Sequence, residues 1–264
     1  MEKELAVIIP MNEFGDENIG LAEKAIKSVP DGIRVYLSVK KGTKETSLKG
    51  IAESVTKVSK SEGTSFQELV NAGVEAVKND GFKWFSILEF DDEYTDIWLN
   101  NAKRYIDFMP ETSVFMTLED IVDFNDGRFI GFGNAEAYAS SFSNEIGYID
   151  NDCLQNYFDF YLTGSIFNVA DWFEVGGLKP LMKLTFWYEW LLRLTSKGRK
   201  VFVMPKSCYV HRLGRKGSLV DVYKKTLSDE EVQWWFDMAK REYFYKEERE
   251  PEKYVYKPEE KEEE

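Results

Sequence analysis

The sequence predicts an α/β fold: a mostly parallel, Rossmann-type sheet covered by helices. Three observations carry this. Short continuous apolar runs such as "LAVIIP" (Leu5–Pro10) are the pattern of strands buried on both faces. They alternate with segments of helical period, strand then helix, three times within about 115 residues. The chain, 264 residues at 43% hydrophobic and 15% aromatic, is stocked for a sizeable core.

After the first strand, Ala22, Ala25, Ile26 and Val29 fall at helical spacing. "IRVYLSV" (33–39) alternates like a second strand, and Leu48, Ile51, Ala52 and Val55 at i, i+3, i+4, i+7 predict a second helix. Thr64 and Gln67 form a candidate capping box for a third helix carrying Leu69, Ala72, Gly73 and Ala76, which stops at "NDG" before the strand "FKWFSILEF". A fourth helix carries Trp98, Ala102, Tyr105, Ile106 and Met109 ahead of Pro110. From 113 to 163 the pattern loosens into short strands and loops, a region suited to acceptor or partner contacts. Order returns with "GSIFNV", the "GGLKP" turn, a helix with Trp187, Trp190, Leu191 and Leu194, and the strand "KVFVMP". Ser228 and Glu231 form a capping box for a last helix burying Val232, Trp235, Phe236 and Ala239. With no internal repeat or clear linker, the expectation is one domain over 1–220, a C-terminal helix at 221–245 packed on it, and an acidic tail at 246–264.

Composition also excludes. A formal charge of −13 repels nucleic acid phosphate and anionic lipid, so no nucleic-acid partner is expected. Cys153 and Cys208 are too few for a zinc site and have no redox-pair spacing, which fits free thiols in a reducing compartment. No segment approaches the roughly eighteen apolar residues of a membrane span, and the N-terminal apolar run is too short for a signal peptide. A soluble, cytoplasmic protein is expected.

Chemistry concentrates in "FSILEFDDEY" (85–94), where a buried strand runs into Asp91, Asp92 and Glu93, with Glu89 two positions before. Adjacent carboxylates repel, so they need solvent or a divalent cation. In sequence order, "AVIIPMNE", "LVNAGVEAV" with Asn71 and Gly73, "FSILEFDDEY", "FEVGGLKP", "WLLRLTSKGRKVFVMP" and "YVHR" together resemble a family 2 type glycosyltransferase of the GT-A fold, over roughly residues 4 to 215.

The resemblance implies transfer of a sugar from a nucleotide diphosphate sugar, a UDP-sugar foremost, to an unknown acceptor with inversion. It places the donor against Pro10, Asn12, Glu13, Asn71 and Asp91, with Arg212 and Arg215 adding positive charge at the diphosphate. Mn²⁺ or Mg²⁺ would sit on Asp91, Asp92, Glu89 and His211. Two departures stand out. The acidic pair that supplies the base is replaced by Phe186 and Trp187, leaving Glu189 as candidate base with Asp150, Asp152 and Asp171 as alternatives, though Glu189 and Arg193 at i, i+4 also suit a helix ion pair. The second strand ends in "LSVKKG" without the Asp that reads the nucleoside. These losses suit an alternative, a catalytically weak GT-A domain acting as a binding or structural component of an assembly such as a virion, and oligomers fit either reading. A nucleotidyltransferase is disfavoured because "MNEFGDENIG" is acidic where a basic phosphate loop would stand.

Overall fold

A computed structural model describes residues 4–48, 50–142 and 145–241; the acidic tail at 246–264 lies outside the described residues. The N-terminal half reads β1 (Leu5–Pro10), α1 (Asp16–Ser28), β2 (Arg34–Lys40), β3 (Lys57–Ser61), α2 (Phe66–Asn79), β4 (Trp84–Ile87), β5 (Glu93–Tyr94) and α3 (Trp98–Phe108). The rest reads β6 (Thr112–Asp123), β7 (Phe129–Gly133), β8 (Tyr148–Ile149), α4 (Asn151–Asn156), β9 (Ile166–Asn168), α5 (Val169–Val175), α6 (Phe186–Ser196), β10 (Lys200–Leu213), α7 (Leu219–Thr226) and α8 (Asp229–Arg241).

The ten strands of the described residues join one sheet in the order β3-β2-β1-β4-β9-β6-β10-β5, with β7 on β6 and β8 on β10. β3, β2, β1 and β4 run parallel, as do β6 and β10, and the antiparallel β9 stitches the two sets together. Every residue of β1 is buried because each face is covered. Ala6 and Ile8 join the core that includes Phe85, Phe167, Trp172 and Trp190, while Val7 and Ile9 join the one that includes Leu37, Trp98 and Phe115. Helix α2 lies so close on β1 that a Cβ on Gly73 would stand 2.4 Å from Ile8 Cγ2. That contact explains the glycine of the Asn-x-Gly step.

Four sequence expectations are corrected. The second helix is a pair of 3-10 turns, Glu45–Leu48 and Ile51–Ser54, because Gly50 between them is left-handed at φ 90°. They lead into β3, a polar edge strand whose pattern hides a buried Ser59 and Ser61. The α2 capping box uses Ser65 and Glu68, one residue beyond Thr64 and Gln67. The region after 112 opens with a twelve-residue strand, β6, and β10 runs eight residues past "KVFVMP", crossing Pro205 at a register shift between Met204 and Ser207. The Ser228–Glu231 box forms as expected, and α8 rests on α6 through Phe236 and Tyr188, ring centroids 5.9 Å apart.

Candidate active site

The carboxyl end of β4 and the extended end of β10 meet, and this juxtaposition builds the site. The chain leaves the sheet at Leu88, and the Asp91–Asp92 turn then faces His211 and Arg212 at the end of β10. Asp92, 1% exposed, takes His211 Nδ1 at 3.0 Å on Oδ2 and the Arg212 backbone N–H at 2.7 Å on Oδ1. Arg212 reaches back to the Asp91 carbonyl (3.1 Å) and Glu93 (2.8 Å). Arg215, on the loop after β10, donates from Nε to Asp91 Oδ2 at 2.5 Å, lies over the Phe90 ring and reaches Glu13 at 3.4 Å.

The charges do not balance. Burial, then Asp92 and Asp91, push the Glu89 carboxyl up to about 8 against the pull of His211 and Arg215. Asp91 is likewise raised, by burial and by Asp92. Burial pulls His211 down, but Asp92, Glu119 and Glu89 outweigh it and raise the imidazole to about 10, so it stays cationic at neutral pH. Glu119 on β6, which sequence reading did not single out, is wholly buried and raised well above the carboxylate range by that burial, with His211 opposing. Both its oxygens, and Asp91 Oδ1, have no hydrogen-bond partner. The signal was present in "SVFMTLEDIV", a strand with a carboxylate at an inward position.

Beside this cluster lies a cavity of about 300 Å³ whose lining includes Pro10, Asn12, Glu13, Glu89 and Arg215. Phe66, Gln67, Pro180, Met182, Lys183 and Tyr223, none anticipated as site residues, complete much of its wall. Five expected residues therefore converge on it; Asp91 bonds the lining Arg215, while Asp91, Asp92, His211 and Arg212 do not themselves line it. Asn71 does not line it: its amide bonds the Leu178 backbone on both sides, at 2.7 and 2.9 Å. Glu189 does not line it either. It is 1% exposed and ion-paired with Arg193, Oε2 accepting from Nη2 at 2.9 Å and Oε1 2.8 Å from Nε, with Lys179 on Oε1 at 2.7 Å. A second cavity of about 250 Å³, floored by Leu5, Ile33, Leu99 and Ile106, lies at the opposite end of β1.

A ligand cavity outside the carboxyl ends of parallel strands is where open α/β sheets bind nucleotides. Known structures share the fold. S. aureus TarS superposes with a TM-score of 0.57 at 15% identity, covering 91% of this chain and 42% of that one. The fold is of the GT-A glycosyltransferase type. Crystal structures of TarS 1-349 with UDP and with UDP-GlcNAc each superpose at 0.56 and 14% identity over 91% of this chain, covering 66% and 73% of theirs. No family model matches the sequence, and no curated protein does. The chain thus spans less than half of the longer TarS structure, and at these identities the likeness speaks for the fold.

The residues present suit a divalent cation in part. Asp91 offers a buried oxygen without a partner, and Glu89 lines the cavity, whereas Asp92 and His211 engage each other. Among the described residues no three His, Cys, Asp or Glu side chains form a ready cation cage. Mg²⁺ is commonly held by one or two carboxylates with substrate phosphates supplying the rest, which this donor set matches. Among the described residues no helix is long and apolar enough to cross a membrane.

Proposed function

We propose that the chain transfers a sugar from a nucleotide diphosphate sugar, UDP-linked foremost, to an acceptor hydroxyl, as family 2 type enzymes do. One observation carries the reading: on a GT-A-type fold, Asn12, Glu13, Glu89 and Arg215 line one cavity at the carboxyl ends of the strands. That neighbours of 12–15% identity include complexes with UDP and UDP-GlcNAc supports the donor class. Pro10, Asn12 and Glu13 contact the nucleotide, and Arg215 and the cationic His211 and Arg212 face the diphosphate. Asp91 and Glu89 would hold Mn²⁺ or Mg²⁺, which supplies Lewis-acid stabilisation of the departing diphosphate. Inversion needs a carboxylate to take the acceptor's proton, a part the resemblance assigns to Glu189 and the pairing of Glu189 argues against.

A thermal-shift panel of UDP-, GDP- and dTDP-sugars with Mn²⁺ tests this, since a ligand that binds only the folded state raises the melting temperature by mass action. One donor should stabilise the protein and Asp91→Ala should remove the metal-dependent part. No shift with any donor would sink the reading. A second reading, a donor-binding component that does not turn over, is favoured by Phe186 and Trp187: both pack in the aromatic cluster with Phe66 instead of presenting acids. Donor binding without any transfer to added acceptors would select it.

A further inference from the structure

The segment 176–183 has no regular structure of its own and is held from two helices. From α6, Arg193 Nη1 donates to the Val175 and Gly176 carbonyls at 2.7 and 2.9 Å, and Nη2 to Gly177 at 2.8 Å. Trp190 Nε1 adds a bond to Gly176 at 3.2 Å. From α2, Asn71 clasps the Leu178 backbone on both sides and Gln67 Nε2 holds the Met182 carbonyl at 2.7 Å. The fit at the turn is tight: a Cβ on Gly177 would fall 2.3 Å from Asn71 Oδ1. The far part of this segment presents Pro180, Met182 and Lys183 to the cavity.

Arg193 can serve three carbonyls only if its guanidinium is held in one orientation, and Glu189 does that. Its Oε2 accepts from Nη2 at 2.9 Å and its Oε1 stands 2.8 Å from Nε as an ion-pair contact without hydrogen-bond geometry, so one bond and the charge beside two nitrogens hold the guanidinium in place. The same carboxylate also takes Lys179, itself a residue of the segment, so Glu189 grips the turn through two cations.

We infer that Glu189 is a positioning residue: through Arg193 and Lys179 it fixes segment 176–183 as a wall of the donor cavity, and it does not accept the acceptor's proton. This rests on the proposed donor binding for its functional consequence, though not for its structural one. A base needs a lone pair aimed at substrate. Here both oxygens are already bound to cations inside the protein.

The test uses the full chain and two variants, Glu189→Gln and Asn71→Ala, the second acting on the same wall from the other helix and carrying no ionisable group. Hydrogen exchange of the ligand-free protein should speed up in 176–183 in both variants, with β1 and β4 still protected. UDP titrated by calorimetry should bind about tenfold more weakly to both, and where a donor supports turnover KM should rise while the pH profile of kcat is kept. Unchanged exchange in 176–183 in both variants overturns the inference. So does a Glu189→Gln protein with intact UDP affinity whose kcat falls by about 10²–10⁴ with loss of the acid-side limb of the pH profile, the mark of a lost base. If the wild-type chain binds no nucleotide, the proposed function fails, and the exchange measurement still decides the role of Glu189.

Discussion

The acidic turn after β4 and the clamp on α6 are built from the same materials, buried carboxylates facing arginines, and they end differently. On α6 each oxygen of Glu189 meets a cation, and Arg193 gives its Nη donors to Glu189 and three carbonyls, leaving only Nε, 2.8 Å from Glu189, without a hydrogen bond. At the turn, Glu89, Asp91, Asp92 and Glu119 share His211 and Arg215, and three buried carboxylate oxygens are left without hydrogen bonds. A buried polar group without a partner costs free energy that folding must offset elsewhere, so three carboxylate oxygens left with neither hydrogen bond nor cation of their own point to a ligand, and a carboxylate with a cation at each oxygen points to architecture. Sites are commonly where a fold tolerates such local conflict.

Removing a charge from each region should therefore have opposite signs. Arg193→Ala leaves Glu189 buried without its arginine, with the half-exposed Lys179 still beside it, and removes a bond from each of three carbonyls, of which Gly176 keeps Trp190. Breaking a buried pair from one side typically costs about 3–5 kcal/mol. Chemical denaturation should show a loss of that size, the largest effect expected of any change named here. A loss under about 1 kcal/mol would mean that the clamp is not structural.

The acidic region should respond to Glu119→Gln in the other direction. The folded state binds the Glu119 proton more tightly than the unfolded chain does, because its pKa is raised by burial. Its contribution is fully present below the unfolded carboxylate pKa and is lost as pH rises through the folded one, with a slope of at most about 1.4 kcal/mol per pH unit for one proton. Asp92, Glu89 and His211 face the same space, and the phenol of Tyr209 is near enough that Glu119 raises it further. Melting temperatures measured from pH 5 to 8 without metal should fall less steeply with pH in Glu119→Gln than in the wild type. Parallel curves would show that Glu119 does not titrate with folding.

The two regions were unequally legible in the sequence. The first strand, the fourth, and the acidic turn stood out because a doubly buried parallel strand is a plain apolar run and the carboxylates are contiguous. The convergence of Glu13, Glu89 and Arg215 on one cavity followed from sheet topology, which fixes where strand ends meet. What was hidden was hidden for physical reasons. Edge strand β3 has no apolar pattern because its inward residues are serines, and β6 and β10 were cut short by an inward Glu119 and by Pro205 at a bulge. The i, i+4 spacing of Glu189 and Arg193 announced a pair, but spacing alone does not say that the pair is buried or that it holds three backbone carbonyls 16 to 18 residues away.

Burial ranks the members within the clamp, and this gives the smallest expected effect. Lys179 makes a 2.7 Å contact to Glu189, shorter than either Arg193 contact, yet its side chain is 44% exposed and that of Arg193 only 14%. If distance set the energy, Lys179→Ala would be the worse substitution. Solvent screening argues otherwise: an ion pair with one well-solvated partner is worth at most about 1 kcal/mol, and Glu189 keeps its pairing with Arg193 when the lysine is gone. Denaturation of Lys179→Ala should therefore show a loss of less than about 1 kcal/mol, several-fold below Arg193→Ala, and a double variant should lose little beyond Arg193→Ala alone. If Lys179→Ala costs as much as Arg193→Ala, Glu189 needs both cations, and the grip on segment 176–183 runs through the lysine within it as strongly as through the arginine on α6.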